Sequence, residues 1–547
     1  MTFDFFSGCR PSTLTGGAMV ATSHPLATAA GLEALSAGGT AVDAAIAAVA
    51  VQAVVDPLMT GIGGDCFALY APAGGAVRAL NGSGRAPAAA TVEAVTAALA
   101  TQAGEDGSNA AAGAAGISAG LTEIPQNSAH AVTVPGAISA WCRLHADHGT
   151  LPLSQLFARA IRYAEEGYRV TPRVAMDWAA AQATVAGDAG AAALFLPEGR
   201  APVAGELRAQ PLLAARYREI AERGPQAFYR GPAAESMVGY LQSLGGLHTL
   251  EDFAEAMDGA DWVTPVSATY RGYEVHECPP NGQGLAALLI LKILEGFDMA
   301  ALDEVDRIHL QAEATKLAYH HRDALIADPA ACPDVAERLL SEEVVATLRA
   351  RIDMSRARPP VLWDEPEHKD TIYLCVVDEA GNAISFINSI FHGFGSGRLD
   401  PATGVLFHSR GASFRLIEGH PNAIGPRKRP MHTIIPGMVT QGGRVVMPFG
   451  VMGGHYQAAG HAAFLSGVID RGLTVQAAID APRSFAFNGV LEVEPTIPAA
   501  TRDALAARGH VLKVVTSPIG GAQAIRIAGG LLEGGSDSRK DGMALGY

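Results

Sequence analysis

The most constraining feature of the sequence is the run of residues 41–55, AVDAAIAAVAVQAVV, in which alanine and valine fall on every face of a helix. A helix that is apolar all round must be buried, so it needs other layers of structure around it. A second alanine-rich segment, 27–37, precedes it, and the pair predicts two closely packed helices inside a layered fold. The run contains Asp43 and Gln52 and is shorter than the roughly 20 apolar residues of a membrane span.

A β-hairpin is predicted in the last third of the chain. Residues 371–377 (TIYLCVV) are rich in β-branched and aromatic side chains, residues 378–382 (DEAGN) form a turn, and residues 383–390 form the second strand. Further strands are predicted at 66–70, 404–408, 444–448, 491–494 and 522–527. Helices are predicted at 285–294, 305–319 and 457–470. This mixture of elements predicts a layered α/β protein.

Composition excludes several classes of function. The 547 residues are 49% hydrophobic and 17% charged, which suits a large core. The net charge of −15 argues against a nucleic-acid partner, because phosphate binding needs a basic face. The six cysteines form no C-x-x-C pair, which argues against cysteine-based zinc sites and thioredoxin-type chemistry. Neither a metal nor a cofactor is expected. The first residues lack the pattern of an export signal, which predicts a cytoplasmic protein with no membrane partner.

Common catalytic motifs are absent from the sequence. It contains no Walker A loop, no H-E-x-x-H and no G-x-S-x-G elbow. The segment GIGGD at 61–65 precedes a strand, whereas a dinucleotide-binding fingerprint should open a helix, so a nicotinamide enzyme is not favoured. Its Asp65 could be a turn cap.

A few residues could carry chemistry, and each also has an ordinary structural explanation. A threonine hydroxyl is a weak nucleophile, but Thr371 would gain a base, an α-amine of pKa near ~8, if it became an N-terminus. Otherwise it is a simple strand residue. The pair Gly453-Gly454 would let backbone N–H groups approach an oxyanion, although such pairs are common in loops. Arg410 could clamp a carboxylate or be a solvated loop charge, and His432 could be structural.

Together these segments resemble the γ-glutamyltransferase family of N-terminal-nucleophile hydrolases. The resemblance is collinear and covers nearly the whole chain. It rests on GGTAVDAAIAAVAVQAVVDPLMTGIGGDCFALY (38–70), TYRGYEVHECPPNGQG (269–284), DTIYLCVVDEAGNAISF (370–386), FGSG (394–397), KRPMHTIIP (428–436) and GVMGGH (450–455). It implies an αββα N-terminal-nucleophile hydrolase sandwich made from an autoproteolytic precursor.

The resemblance also implies where the precursor is cut. The family motif T-x-x-x-x-V-V-D-x-x-G-N-A fits residues 371–383, which places the cut between Asp370 and Thr371. The products would be a large chain, 1–370, and a small chain, 371–547, that together form one αββα unit. This heterodimer, or a dimer of such heterodimers, is the implied assembly. Within the large chain, residues from about 101 to 130 are rich in Ala, Gly, Ser and Asn and predict a mobile surface insertion.

By the same resemblance, Thr371 would attack the amide of a small-molecule substrate. Ser389 matches the family's hydroxyl residue beside the new amine and would orient it. Gly453 and Gly454 match the glycine pair of the oxyanion hole.

The sequence departs from the family at the positions that recognise the α-amino acid end of glutamate. An arginine is replaced by Ser83, with Arg85 two places later, an asparagine by Phe391, an aspartate by Ser413, and two adjacent serines by His432 and Thr433. Binding an ammonium without the aspartate should cost ~2–5 kcal/mol. We therefore expect a substrate without an α-ammonium.

The expected substrate is a small carboxylate-bearing amide such as oxamate, with Arg410, His432 or Arg85 as candidates to hold the carboxylate. The pattern resembles the branch that includes oxamate amidohydrolase, cephalosporin-acylase-like and glutathione hydrolase-like enzymes. Three alternatives remain open: a γ-glutamyl hydrolase or transferase acting on glutathione, a cephalosporin or glutaryl acylase, and an uncleaved, non-catalytic member that binds a ligand.

Overall fold

The computed structural model describes residues 4–6, 10–105, 122–359 and 371–547, without the side chains of 103–105. Its frame is a pair of seven-stranded sheets. The first sheet has the strand order Met543–Gly546, Met19–Thr22, Ile372–Val377, Ala383–Ser389, Asp65–Ala71, Arg78–Gly82 and Asp261–Val263. All its neighbouring strands are antiparallel. The predicted hairpin thus lies in the middle of this sheet.

The second sheet faces the first. Its order is Thr13–Thr15, Leu531–Ser536, Gly521–Ala528, Arg444–Met452, Gly437–Gln441, Tyr273–Glu277 and Val266–Tyr270. Alternate side chains of both sheets meet in a shared core, which contains Phe67 and Tyr373 from the first sheet and Met438 and Met452 from the second. Two small sheets lie outside this pair. One has three strands, Ser484–Phe487, Val490–Val493 and Leu512–Val514, and the other has two, Tyr168–Arg169 and Leu207–Arg208.

Helices cover the outer faces of both sheets, as separate cores on each side indicate. In the first part of the chain the helices are Pro25–Ser36, Ala41–Val55, Val92–Glu105, Ala137–His148, Leu153–Leu156, Ala158–Glu166, Pro172–Ala186, Ala189–Phe195, Pro211–Arg223, Gln226–Tyr229, Pro232–Ser243 and Leu250–Ala256. Later helices are Gly284–Leu294, Glu304–Leu325, Val335–Leu339, Glu342–Arg349, Tyr456–Ile469, Val475–Asp480 and Ala499–Ala507. Short 3₁₀ turns are Ala129–Ala131, Pro329–Ala331 and Arg410–Ser413. The layers are therefore helix, sheet, sheet and helix, which confirms the predicted αββα sandwich.

The apolar helix Ala41–Val55 has the bounds that the sequence predicts, and every one of its residues is buried. Thr40 begins it with a capping box, in which the Thr40 hydroxyl accepts from the Asp43 N–H and Asp43 accepts from the Thr40 N–H. It packs against Pro25–Ser36 and against the outer face of the first sheet. None of the described helices has the length and apolar character of a membrane crossing.

One strand prediction from the sequence is wrong. Residues 404–408 are not a strand, because only isolated bridges join Leu406 to Leu399 and Phe407 to Gly63. At the margins of the predicted insertion, about 101–130, residues 101–105 end the helix Val92–Glu105 and residues 128–130 are buried. Its central residues, 106–121, lie outside the described part of the chain.

The two sheets pack tightly against each other at Gly450. A side chain added there would collide with the ring of Tyr373, two residues after Thr371. We expect Gly450→Ala to lower the free energy of unfolding by about 1–3 kcal/mol, because the tightly packed ring must move. Gly239→Ala is the control, since that glycine lies in an exposed helical position with open space around it and should be neutral or slightly stabilising. Thermal unfolding of both variants measures the difference, and equal midpoints would contradict the prediction.

Candidate active site

Thr371 lies directly before the strand Ile372–Val377, and its side chain is buried between the sheets. Its Oγ1 is 3.0 Å from the Oγ of Ser389, the last residue of the neighbouring strand. The Ser389 hydroxyl also accepts a hydrogen bond from the Phe391 N–H at 3.0 Å. The predicted nucleophile and the predicted orienting serine are therefore in direct contact. Asp370, on the other side of the predicted cut, lies outside the described residues.

Asp65 belongs to the same row of residues. It is paired in register with Ser389, so Thr371, Ser389 and Asp65 lie side by side at the ends of three neighbouring strands. The Asp65 carboxylate is buried and accepts backbone N–H groups of Gly84 at 2.9 Å and Gly136 at 3.1 Å. It is not a simple turn cap, since its second oxygen faces two histidines.

His432 and His408 are the two histidines that face the Asp65 carboxylate. His432 Nε2 is 3.1 Å from Asp65 Oδ2, and His408 Nδ1 is 3.4 Å from the same oxygen. Burial opposes ionisation of Asp65, but the charge and hydrogen bonds of the two imidazoles hold the pKa of its carboxyl well below the usual range. Burial, followed by the charge of Arg410, lowers the pKa of His432 to about 3.

A neutral His432 has one proton to place, and the Asp65 carboxylate requires it on Nε2. Its Nδ1 therefore carries a lone pair. That atom is buried and has no hydrogen-bond partner in the described part of the protein. It offers an acceptor to a donor group of a ligand.

Arg410 is a buried charge, not a solvated loop residue. Its guanidinium carbon lies 3.8 Å from the centre of the Phe391 ring, and its terminal nitrogens donate to the Thr433 hydroxyl at 3.2 and 3.3 Å. Burial lowers the pKa of Arg410 to about 9, while Asp65 acts in the opposite direction, so the group stays charged at neutral pH. Among the described residues, no carboxylate lies within ion-pair distance of it.

The glycine pair follows the strand Arg444–Met452 of the second sheet. Gly453 and Gly454 have φ angles of +119° and +57°, which favour glycine at both positions. Gln283 fixes this turn, because its Nε2 donates to the Gly454 carbonyl at 3.0 Å and to the Thr433 carbonyl at 2.7 Å. The pair is thus tied to the segment that contacts Arg410.

The other predicted binding residues have different surroundings. Ser413 donates to backbone carbonyls of its own loop, those of Arg410 and Met431, at 3.0 and 2.7 Å. Arg85 is 44% exposed and lies 3.9 Å from both Asp261 and Asp328. The structure therefore brings together Thr371, Ser389, Phe391, Arg410, His432 and Thr433, but not Arg85.

Asp65, His408 and Gln283 are site residues that sequence reasoning missed. Asp65 was visible only as the end of a glycine-rich turn. Its position did contain a signal. Asp65 begins one strand and Ser389 ends another, and in an antiparallel pair the start of one strand lies beside the end of its neighbour.

We expect Ser389→Ala to slow catalysis about 10–100-fold in kcat with little change in KM, since the Thr371 hydroxyl loses its neighbour. The control is Ser385→Ala on the same face of the strand. The Ser385 hydroxyl bonds to Tyr373 at 2.8 Å and to the Phe449 carbonyl at 3.1 Å, and its loss should affect stability only. Steady-state kinetics of both variants provide the test, and an equal fall in kcat would argue against a special role for Ser389.

Two stacked antiparallel sheets between helical layers, with the threonine at the start of a central strand, define the class of N-terminal-nucleophile hydrolases. A family model described as gamma-glutamyltranspeptidase matches residues 27–547.

Known proteins of this class align over almost the full length of the chain. The glutathione hydrolase-like YwrD proenzyme of Bacillus subtilis is 36% identical, over 96% of this chain and 98% of that protein. The oxamate amidohydrolase proenzyme of Klebsiella pneumoniae is 34% identical, over 98% and 99%. The crystal structure of cephalosporin acylase from Bacillus halodurans superposes with a TM-score of 0.90 at 41% identity, covering 100% of this chain and 99% of the other.

The chain belongs to the gamma-glutamyltranspeptidase family, as its motifs predicted. Members of that family are hydrolases and transpeptidases that act on amide bonds, and this protein is an enzyme of that type.

Proposed function

We propose that the protein is an autoprocessing amidohydrolase that uses Thr371 to cleave a small amide bearing a carboxylate, such as oxamate. The observation that carries the substrate class is the buried Arg410, which is charged and has no carboxylate partner of its own among the described residues. Buried charges are normally paired, because desolvation is costly. Asp65 acts on Arg410 only from beyond ion-pair distance, and a substrate carboxylate would pair with the guanidinium directly.

Processing comes first in this proposal. The Thr371 Oγ attacks the carbonyl carbon of Asp370, the peptide C–N bond breaks, and the proton of the hydroxyl passes to the nitrogen. The product is an ester with a free α-amine on Thr371. Water hydrolyses the ester and leaves a carboxylate on Asp370. The large and small chains then remain together, because strands from both form the first sheet.

Catalysis reuses the same oxygen. The α-amine of Thr371 takes the proton from Oγ as it attacks the substrate amide, and passes it to the leaving nitrogen. Ser389, 3.0 Å from Oγ1, orients the hydroxyl and amine. Backbone N–H groups at Gly453 and Gly454 stabilise the oxyanion. Water then hydrolyses the acyl ester and restores Thr371.

His432 extends the recognition of the substrate. The Asp65 carboxylate holds the proton on its Nε2, so Nδ1 accepts a hydrogen bond. An acceptor next to a guanidinium suits a ligand that carries a carboxylate together with a primary carboxamide, whose N–H groups are the donors. The same pair lacks the negative charge that an α-ammonium needs, which disfavours γ-glutamyl substrates.

A panel of amides tests the proposal. The processed enzyme is assayed with oxamate, glutaryl amides and γ-glutamyl amides, while intact mass follows the cut. We expect two chains and the highest kcat/KM for an amide with a carboxylate and no α-ammonium. Faster turnover of a γ-glutamyl anilide would favour the glutathione hydrolase alternative. A single full-length chain after long incubation would favour the non-catalytic alternative.

A second candidate, a cephalosporin or glutaryl acylase, is favoured by one feature. A cavity of about 250 Å³ beside Gly453 is lined by aromatic side chains, those of Tyr456, Phe485 and Phe487. Phe487 stacks on His455 at 4.9 Å between ring centres. Such an apolar space beside the proposed oxyanion site would accept a large group on one side of the amide. The panel separates the two candidates, since an acylase would prefer bulky amides over oxamate.

A further inference from the structure

We propose that His309, Glu313 and His510 form a binding site for a divalent metal ion of the zinc type. His309 and Glu313 lie one turn apart on the helix Glu304–Leu325, so their side chains share a face. His510 follows the helix Ala499–Ala507. One ligand atom from each of the three residues lies within 4.8 Å of the others, and all three are buried.

The orientation of His309 suits a metal ligand. Its Nε2 is 2.9 Å from the Asp353 carbonyl oxygen, which can only accept, so the ring proton lies on Nε2. Its Nδ1 then presents a lone pair toward His510 Nε2, 2.8 Å away. Histidine ligands in metal sites commonly donate their other N–H to a backbone carbonyl in this way, which fixes the ring and its tautomer.

The donor set matches the metal. Two imidazole nitrogens and one carboxylate, with water as a fourth ligand, form a common zinc coordination sphere. Bonds of about 2.0–2.1 Å at tetrahedral angles separate two nitrogens by about 3.3 Å. The distance of 2.8 Å between the two imidazoles therefore has to open by about half an ångström, which small rotations of the rings supply.

Glu313 keeps other partners that support a ligating carboxylate. Lys316 Nζ lies 2.7 Å from its Oε1, and the Arg358 N–H donates to its Oε2 at 3.2 Å. Metal-bound carboxylates are usually hydrogen-bonded in turn. Lys316 also donates to the Arg358 carbonyl at 3.2 Å, so the cluster holds the backbone close to the end of the described part of the large chain.

The position of the site suggests its purpose. His309 and Glu313 precede the proposed cut, and His510 follows it. If the cut at Thr371 occurs, as the proposed function requires, the metal links the two product chains. The metal site itself does not depend on that cut.

Zinc content of the purified protein tests the site. Wild type, His510→Gln, His309→Gln and the control His321→Gln, half-buried on the same helix, are loaded with Zn²⁺, dialysed and analysed by mass spectrometry of the metal. We expect one zinc per full-length equivalent in wild type and His321→Gln, and none in the two cluster variants. Equal zinc in all four proteins, or none in wild type, would overturn the proposal.

Cobalt provides a readout on the wild-type protein, which does not depend on how a variant folds. Co²⁺ in the site is expected to give the intense visible absorption of four-coordinate cobalt. A weak six-coordinate spectrum, or no bound cobalt, would contradict the site. The uncleaved variant Thr371→Ala is expected to retain one zinc as well. Because this variant is not processed, its zinc content tests the metal site separately from the proposed function.

Discussion

Replacing Thr371 with alanine is expected to leave one uncleaved chain of full length and to abolish amide hydrolysis. The variant lacks the oxygen that attacks the Asp370 carbonyl, and without the cut it has no α-amine at residue 371 to act as a base. The Thr371 hydroxyl is buried and lies 3.0 Å from the Ser389 hydroxyl. Its removal leaves no hydroxyl on the residue that follows the proposed cut. Intact mass and turnover of the preferred amide measure both effects.

Thr371→Ser is the matched control. It keeps a hydroxyl and, after any cut, an amine, and we expect partial processing and reduced but measurable turnover. Two chains from Thr371→Ala would show that the cut has another cause or another position. Complete loss of processing in Thr371→Ser would show that the methyl group is needed to position the oxygen.

Much of the frame around Thr371 follows from local sequence. The hairpin was predictable because β-branched residues flank a strong turn, and the helix Ala41–Val55 because its apolar faces demand burial. Residues 404–408 have the same composition as a strand, yet their backbone finds only isolated bridges to Leu399 and Gly63. Whether a short apolar segment forms a strand depends on a free sheet edge beside it, which local sequence does not contain.

The site was less predictable than the frame. Thr371 and Ser389 share a hairpin, so their contact follows from a local register. Asp65 precedes Ser389 by 324 residues along the chain. Its place beside that serine depends on which strand lies next to the hairpin. Sheet order is a property of the complete fold. The burial of Arg410 was not predictable for the same reason, because a charged residue in a loop is normally expected to be exposed.

Arg410→Met is expected to lower kcat/KM for a carboxylate-bearing amide by about 10²–10³-fold. The guanidinium is buried against Phe391 and Thr433, so a substrate carboxylate that reaches it is held in a region of low dielectric, where losing one partner of a charge pair costs about 2–5 kcal/mol. An amide of similar size without a carboxylate is expected to change less than about 5-fold. The comparison of the two substrates isolates the charge contact from any general damage to the site.

The thermal stability of Arg410→Met is a second, independent measurement on the same variant. Methionine removes a buried charge that has no carboxylate within ion-pair distance among the described residues, so the thermal midpoint should be unchanged or higher although activity falls. Arg410→Lys should retain an intermediate rate, because an ammonium keeps the charge but lacks the planar fork that binds a carboxylate through two hydrogen bonds.

Arg85→Met is the control for the loss of one arginine. Arg85 is 44% exposed with two acidic neighbours at 3.9 Å, and its loss should change kcat/KM less than about 2-fold. An equal loss in Arg85→Met and Arg410→Met, or an equal loss of Arg410→Met activity on both amides, would place carboxylate recognition elsewhere. A fall confined to Arg410→Met and to the carboxylate-bearing amide would make this buried guanidinium the group that selects the substrate, because the same change leaves the nucleophile, its serine neighbour and the glycine turn in place.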